Sequence, residues 1–191
     1  GNPLFVLESQ DVEGLLTDIL TSYTYDRAGR RVSEQVTVNG AEQAAVEYTY
    51  DEIGRLAAHK YSRGSWSSTE AVGYNIRSWL AERSSPYFSM QLRYNKILSP
   101  SSTKQYGGGI SEWTWRHDEG PHNMYSLQYD GASRLTGAHQ YEASGADWAG
   151  TTSHYTENGI SYDKNGNILT LQRSAAGSVV DNLTYSYEGN R

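Results

Sequence analysis

The chain has 191 residues, 16 basic against 22 acidic side chains, a net charge of −6 and no cysteine. The missing thiols exclude a disulfide framework and a zinc–thiolate centre. The basic residues are scattered and form no stripe, which argues against a nucleic-acid partner, and no apolar run approaches the ~18 residues of a membrane helix. Mean hydropathy is low, −0.70, yet there are 16 tyrosines and five tryptophans against two phenylalanines and two methionines. Tyr and Trp bury a large apolar body while keeping one polar atom for water or a partner, which suits a sheet with one wet face.

Residues 1–20 read as a lead-in: Leu4 to Leu7 suits a strand, and Glu13 to Leu20 is compatible with a turn of helix or with a degenerate strand. From residue 21 a pattern sets in. Tyr23 and Tyr25, two apart and so on one face of a strand, precede Asp26, Gly29 and Arg30. The same order returns as Tyr48, Tyr50, Asp51, Gly54 and Arg55. Asp at the first position of a four-residue turn accepts a backbone N–H two residues on, and Gly at the last tolerates positive φ. A type I turn followed by a left-handed Gly reverses an antiparallel hairpin. Between the two copies Asn39-Gly40 predicts a tight hairpin, and Ser62 to Thr69, rich in serine around Trp66, reads as a loop.

Tyr74-Asn75 and Tyr94-Asn95 are looser copies in which Asn does what Asp does. Tyr129, Asp130 and Arg134 keep the order with Ser133 where Gly is expected; Tyr162, Asp163 and Gly166 keep the turn with Asn167 in place of Arg; Tyr187 closes the series. The motif tyrosines fall at 25, 50, 74, 94, 129, 162 and 187. A spacing in the twenties with one supersecondary unit per period marks a repeat architecture. Trp113 and Trp115, again two apart, are expected to fill a repeat position inside the longest gap, Gly107-Gly-Gly109 to be a flexible turn, and Ala143 to Thr156 a longer loop or irregular hairpin. The expected fold is therefore all-β: repeated antiparallel β-hairpins over residues 21–191 forming one strongly curved sheet, since open sheets beyond about ten strands curl. Tyrosines of neighbouring hairpins are expected to form aromatic ladders, and the strand at Leu183 to Glu188, left without a return partner, suggests a piece of a longer protein.

At these residues the chain resembles the YD-repeat (RHS) family, whose unit runs Tyr-Asp-x-x-Gly-Arg-Leu, and in particular its large surface or secreted members from Bacteroidetes. The resemblance implies a β-hairpin ribbon that winds into a shell enclosing or displaying a variable C-terminal effector, on a secreted or cell-surface protein whose partners are the remaining repeats and effector of the same parent chain. It assigns no enzyme activity, catalytic residue, metal or cofactor to this segment.

For chemistry the sequence offers little else. His117, Asp118, Glu119 and His122 could hold a divalent metal, or be a charged proline-bearing loop. His59, His139 and His154 stand alone and are expected on strand faces. No Gly-x-Ser-x-Gly string points to a nucleophile elbow. The alternative to a structural wall is a carbohydrate-binding or adhesion module that stacks sugar rings on the aromatic face; an exposed sheet edge would also permit self-association.

Overall fold

A computed structural model describes residues 2–99, 101–144, 147–148 and 155–189. Within them the fold is all-β, an open antiparallel sheet architecture without helices; no helix is long and apolar enough to cross a membrane. Contacts divide the chain into two units, Gly1–Gly73 with Arg83–Pro86, and Tyr74–Glu82 with Tyr87–Arg191.

In the first unit β1 (Phe5–Val12), β2 (Leu15–Tyr25), β3 (Arg31–Val38), β4 (Ala41–Tyr50), β5 (Leu56–Arg63) and β6 (Trp66–Tyr74) pair in chain order. Residues 15–20 are thus strand, settling the ambiguity of the lead-in. Two kinds of turn alternate. At one end are two-residue connections: Glu13 and Gly14 (φ 54° and 85°) and Asn39 and Gly40 (φ 49° and 80°) are both left-handed, as a mirror-image turn that matches strand twist demands. The serine-rich segment differs from the expected loop: Arg63 faces Trp66 directly, Gly64 at φ 57° makes the reversal, and Ser67, Ser68 and Thr69 continue as strand. Composition misleads there because alternation and a single glycine outweigh serine's preference for loops. At the other end lie the longer Asp turns.

The second unit contains β8 (Phe88–Arg93), β9 (Glu112–His117), β10 (Asn123–Tyr129), β11 (Leu135–Ser144), β13 (Tyr155–Tyr162), β14 (Ile168–Ala175) and β15 (Ser178–Thr184), paired in that order, with the short β12 (Asp147–Trp148) added to the end of β11. Of the longer loop or irregular hairpin expected at 143–156, the described part is a hairpin, Ala143 facing Trp148 and Ser144 facing Asp147; 145–146 and 149–154, with His154, lie outside the described residues. The last strand ends at Thr184, although the Tyr185 N–H still donates to Leu169 O at 2.8 Å.

Full burial is rare and mostly polar. Met124 and Ile160 are the aliphatic residues closest to a conventional core, while Glu112, Ser111 and Ser126 are completely enclosed. At the opposite extreme β1 is exposed along its whole length, including Phe5, Leu7 and Val12.

Candidate functional site

The repeated turn is the most regular feature of the molecule. In the first copy the Gly29 N–H donates to Asp26 O at 3.0 Å, and the Asp26 N–H closes on Arg30 O at 2.9 Å. Asp26 Oδ1 accepts the N–H groups of Ala28 and Arg30, both at 2.9 Å, and Arg30 Nε donates to Asp26 Oδ2 at 2.7 Å. Asp51 with Arg55, Asp130 with Arg134 and Asp163 with Asn167 repeat this almost atom for atom. Asn75 keeps the backbone half, its Oδ1 accepting from Arg77 and Trp79. The left-handed position is glycine at 29, 54 and 166 (φ 77°, 89° and 90°), but Ser78 and Ser133 hold φ 60° and 61°. Asn95 departs from the set: no such turn closes on it, and the chain instead makes an excursion to Ile110, with the Gln105 N–H on Tyr94 O and the Ser111 N–H on Arg93 O.

The carboxylates of Asp26 and Asp130 titrate below the usual range, chiefly because they accept the backbone N–H of Arg30 and of Arg134. For Asp163 the Asn167 side chain dominates. For Asp51 the largest influence is burial, which raises it, but the Arg55 side-chain and backbone bonds together outweigh that and leave it lowered.

The four Asp turns are each preceded by a bulge at which the motif tyrosine slips register, Tyr25 opposite Arg31, Tyr50 opposite Leu56, Tyr129 opposite Leu135 and Tyr162 opposite Ile168. The hydroxyl then reaches into the preceding repeat. Tyr50 donates to Arg31 O at 2.6 Å, Tyr94 to Leu80 O at 2.7 Å, Tyr162 to Leu135 O at 2.7 Å and Tyr187 to Ile168 O at 2.7 Å. The acceptor is each time the first residue after the preceding turn. Tyr25 makes the same bond to Pro3 O and Tyr129 to Ile110 O. Arginine returns the contact: the Arg30 guanidinium lies 4.5 Å from the Tyr50 ring centre, Arg134 lies 4.6 Å from that of Tyr162, and Arg134 Nη1 donates to Asp163 O at 2.9 Å. At Tyr50 and Tyr162, then, the expected tyrosine ladder is replaced by arginine over tyrosine (β7, Leu80–Ser84, supplies the acceptor for Tyr94). The i, i+4 Asp–Arg spacing is visible in one repeat; a bond between repeats requires the register.

The Ile110 acceptor also corrects the reading of Trp113 and Trp115. It places them on the returning strand β9, so the long gap is one repeat whose short turn has been replaced by residues 95–110. That excursion is held by a buried carboxylate that the sequence did not single out. Glu112, fully enclosed, accepts the N–H groups of Leu98 (2.8 Å) and Ser99 (2.7 Å) and the Ser102 hydroxyl (2.7 Å), and Ser102 Oγ lies 2.9 Å from Ser126 Oγ, whose proton it can accept. The Ser111 hydroxyl sits within hydrogen-bonding reach of Tyr94 O and Thr103 O, which share its one proton. The triple glycine is part of this packing, with Gly108 (φ 101°) against the Trp79 ring.

The charged loop at 117–122 turns between β9 and β10. The His117 ring packs on Phe88 at 5.0 Å, and the Gly120 N–H donates to His117 O at 2.8 Å. Among the described residues no three His, Asp or Glu side chains gather as a metal site. His59, 6% exposed, shares a 2.7 Å hydrogen bond with Glu70, which Arg83 pairs from its other side. His139 is held below its ordinary value by burial.

Two grooves open on the second unit. One, of about 550 Å³, is bordered by Trp113, Tyr125, Tyr155, Glu157, Arg173 and Asp181. Two of its rings pack on Trp115, which does not line it: Tyr125 stacks on Trp115 at 5.4 Å and 19°, and Trp113 lies 4.7 Å from Trp115. Burial, then the charge of Glu157, raise the Tyr125 phenol above its ordinary value. The other, of about 440 Å³, lies beside the Asn75 turn.

No family model matches the chain, and no curated protein matches it in sequence. In structure it is similar to a chain in the crystal structure of TcdB2-TccC3-Cdc42, at 11% identity and TM-score 0.56, over 96% of this chain and 11% of that one. The chain thus spans about a tenth of that chain's length, and the likeness is one of fold. A porin-like protein from Bacteroides uniformis aligns with a TM-score of 0.36 and 9% identity, over 94% of this chain and 93% of that one.

Proposed function

We propose that the chain is a non-enzymatic structural repeat, a wall segment of a shell of the RHS/YD-repeat kind that encloses or displays a further polypeptide of the same parent protein. The observation that carries this is the clasp: a tyrosine hydroxyl in each of Tyr50, Tyr162 and Tyr187 bonds to the carbonyl that follows the preceding turn. A bond that ties each unit to its predecessor serves extension of a wall, and its residues are consumed in doing so: the turn carboxylates are already filled by N–H and guanidinium donors. The fold likeness to the TcdB2-TccC3-Cdc42 structure supports the same reading, as does β1, whose exposed ladder can receive a further strand from the parent chain or from a second copy. A secreted or surface location accompanies this proposal. Protease protection on the full-length gene product tests it. A polypeptide resistant to protease until urea opens the wall is expected; digestion at the same rate before and after opening refutes it.

A second reading is favoured by one feature, the Trp113, Tyr125 and Tyr155 rings that border a groove with Glu157 and Arg173. Flat rings flanked by hydrogen-bonding groups suit a neutral saccharide. Calorimetric titration with neutral oligosaccharides should show binding that Trp113→Ala abolishes; no heat at millimolar sugar ends this reading.

A further inference from the structure

The smaller groove is chemically unlike the rest of the chain. Arg77, Arg93 and Lys96 line it, and among the described residues no carboxylate does, in a protein of net charge −6. Its remaining walls include Ile76, Ala81 and Leu92. Trp79 offers no open platform, because the Arg77 guanidinium lies 5.1 Å from its centre, Tyr94 meets it at 4.9 Å, and a Cβ added at Gly108 would lie 3.5 Å from its ring. The groove thus offers aliphatic side chains and cations rather than an open ring face. Arg93 is only loosely paired, with Glu112 at the 4.0 Å limit of an ion pair. Its Nη2 donates to the neutral Gln91 at 2.8 Å, and its buried Nε lies 4.0 Å from a Glu112 carboxylate already occupied by four other donor contacts.

We propose that this groove binds a small organic acid, its carboxylate held between Arg93 and Lys96 and its aliphatic or ring body against Leu92 and Ile76. Guanidinium and ammonium donors converging on an anion give short, strong hydrogen bonds, and the volume falls within the roughly 300–1,000 Å³ of small-molecule sites. An extended peptide fits less well. It would need a free edge for strand addition, whereas Leu92 and Arg93 already lie in the β8–β9 ladder opposite Trp113 and Glu112. The proposal extends beyond the wall reading and is separate from the saccharide reading, since Trp113→Ala leaves Lys96 and Ile76 in place.

Calorimetric titration of the purified chain at low salt with hexanoate and benzoate, each beside hexanol and benzyl alcohol, tests it. Saturable binding of the acids is expected, with the alcohols at least about tenfold weaker and Lys96→Gln, an exposed change, weakening the acids by about tenfold. Equal binding of acid and alcohol overturns the proposal. So does unchanged affinity in Lys96→Gln, or tighter binding of a tetraglutamate peptide than of hexanoate.

Discussion

In residues 2–73 the buried side chains are His59 and Ser68, whereas the second unit buries Tyr94, Ser99, Ser102, Ser111, Glu112 and Ser126 at an excursion of the chain, and Met124, Ala138, Tyr141 and Ile160 on its strands. Both regions use the same hairpin, the same Asp turn and the same tyrosine clasp. The first is held by repetition: each turn satisfies its own backbone and each hydroxyl ties one repeat to the last. In the second, replacing one short turn with residues 95–110 created a segment whose N–H groups had to be satisfied inside the protein, and a buried glutamate does this. A repeat array can therefore stand with almost no interior, and acquires one where its period is broken.

The change expected to separate the two regions most is Glu112→Ala. It leaves the Leu98 and Ser99 N–H groups and the Ser102 hydroxyl without their acceptor, and should cost about 3–5 kcal/mol. Urea melts should show this loss in the second unit, while hydrogen exchange in β2 to β5 stays as in the parent; uniform loosening of both would remove the distinction. Next is the clasp. Tyr50→Phe orphans Arg31 O and should cost roughly 1–2 kcal/mol in the first unit; Tyr162→Phe is its counterpart in the second, and similar losses would show the clasp to be common to both.

Gly54→Ala is expected to cost about 1 kcal/mol or somewhat more, because φ is 89° and a Cβ there would come within 2.9 Å of Arg30 Nη1. Ser133→Gly should act in the opposite sense and raise stability by about 0.5–1 kcal/mol, since Ser133 is held at φ 61°; an unchanged melting midpoint would count against strain at that turn. Acid should produce the mildest effect and affect both regions. With folded-state carboxyls at Asp26, Asp51, Asp130 and Asp163 all below the model-peptide 3.8, the folded state binds fewer protons. The turns' contribution is thus complete above about pH 4 and is lost as pH falls through those lower values. Asp51→Asn should flatten that acid limb, and a limb of unaltered steepness would contradict the assignment.

Much of this was legible before any coordinates. Asp, two residues, Gly and Arg specify a turn by local chemistry alone, Asn39-Gly40 specifies the opposing one, and alternating strands between them leave antiparallel hairpins as the outcome. What could not be read was everything that depends on which strand lies where across the sheet: the hydroxyl of Tyr50 on Arg31 O, the arginine over the next tyrosine, the return of Trp113 and Trp115 on β9, and the serine-rich Ser67 to Thr69 as strand. Glu112 was invisible for the same reason, being one acid among many until the excursion closed over it. Turn conformation is set by neighbours within about five residues, which the sequence displays directly. Contacts between repeats join residues 14 to 29 positions apart, and only the fixed register of the ladder selects those partners from all the others of the same type.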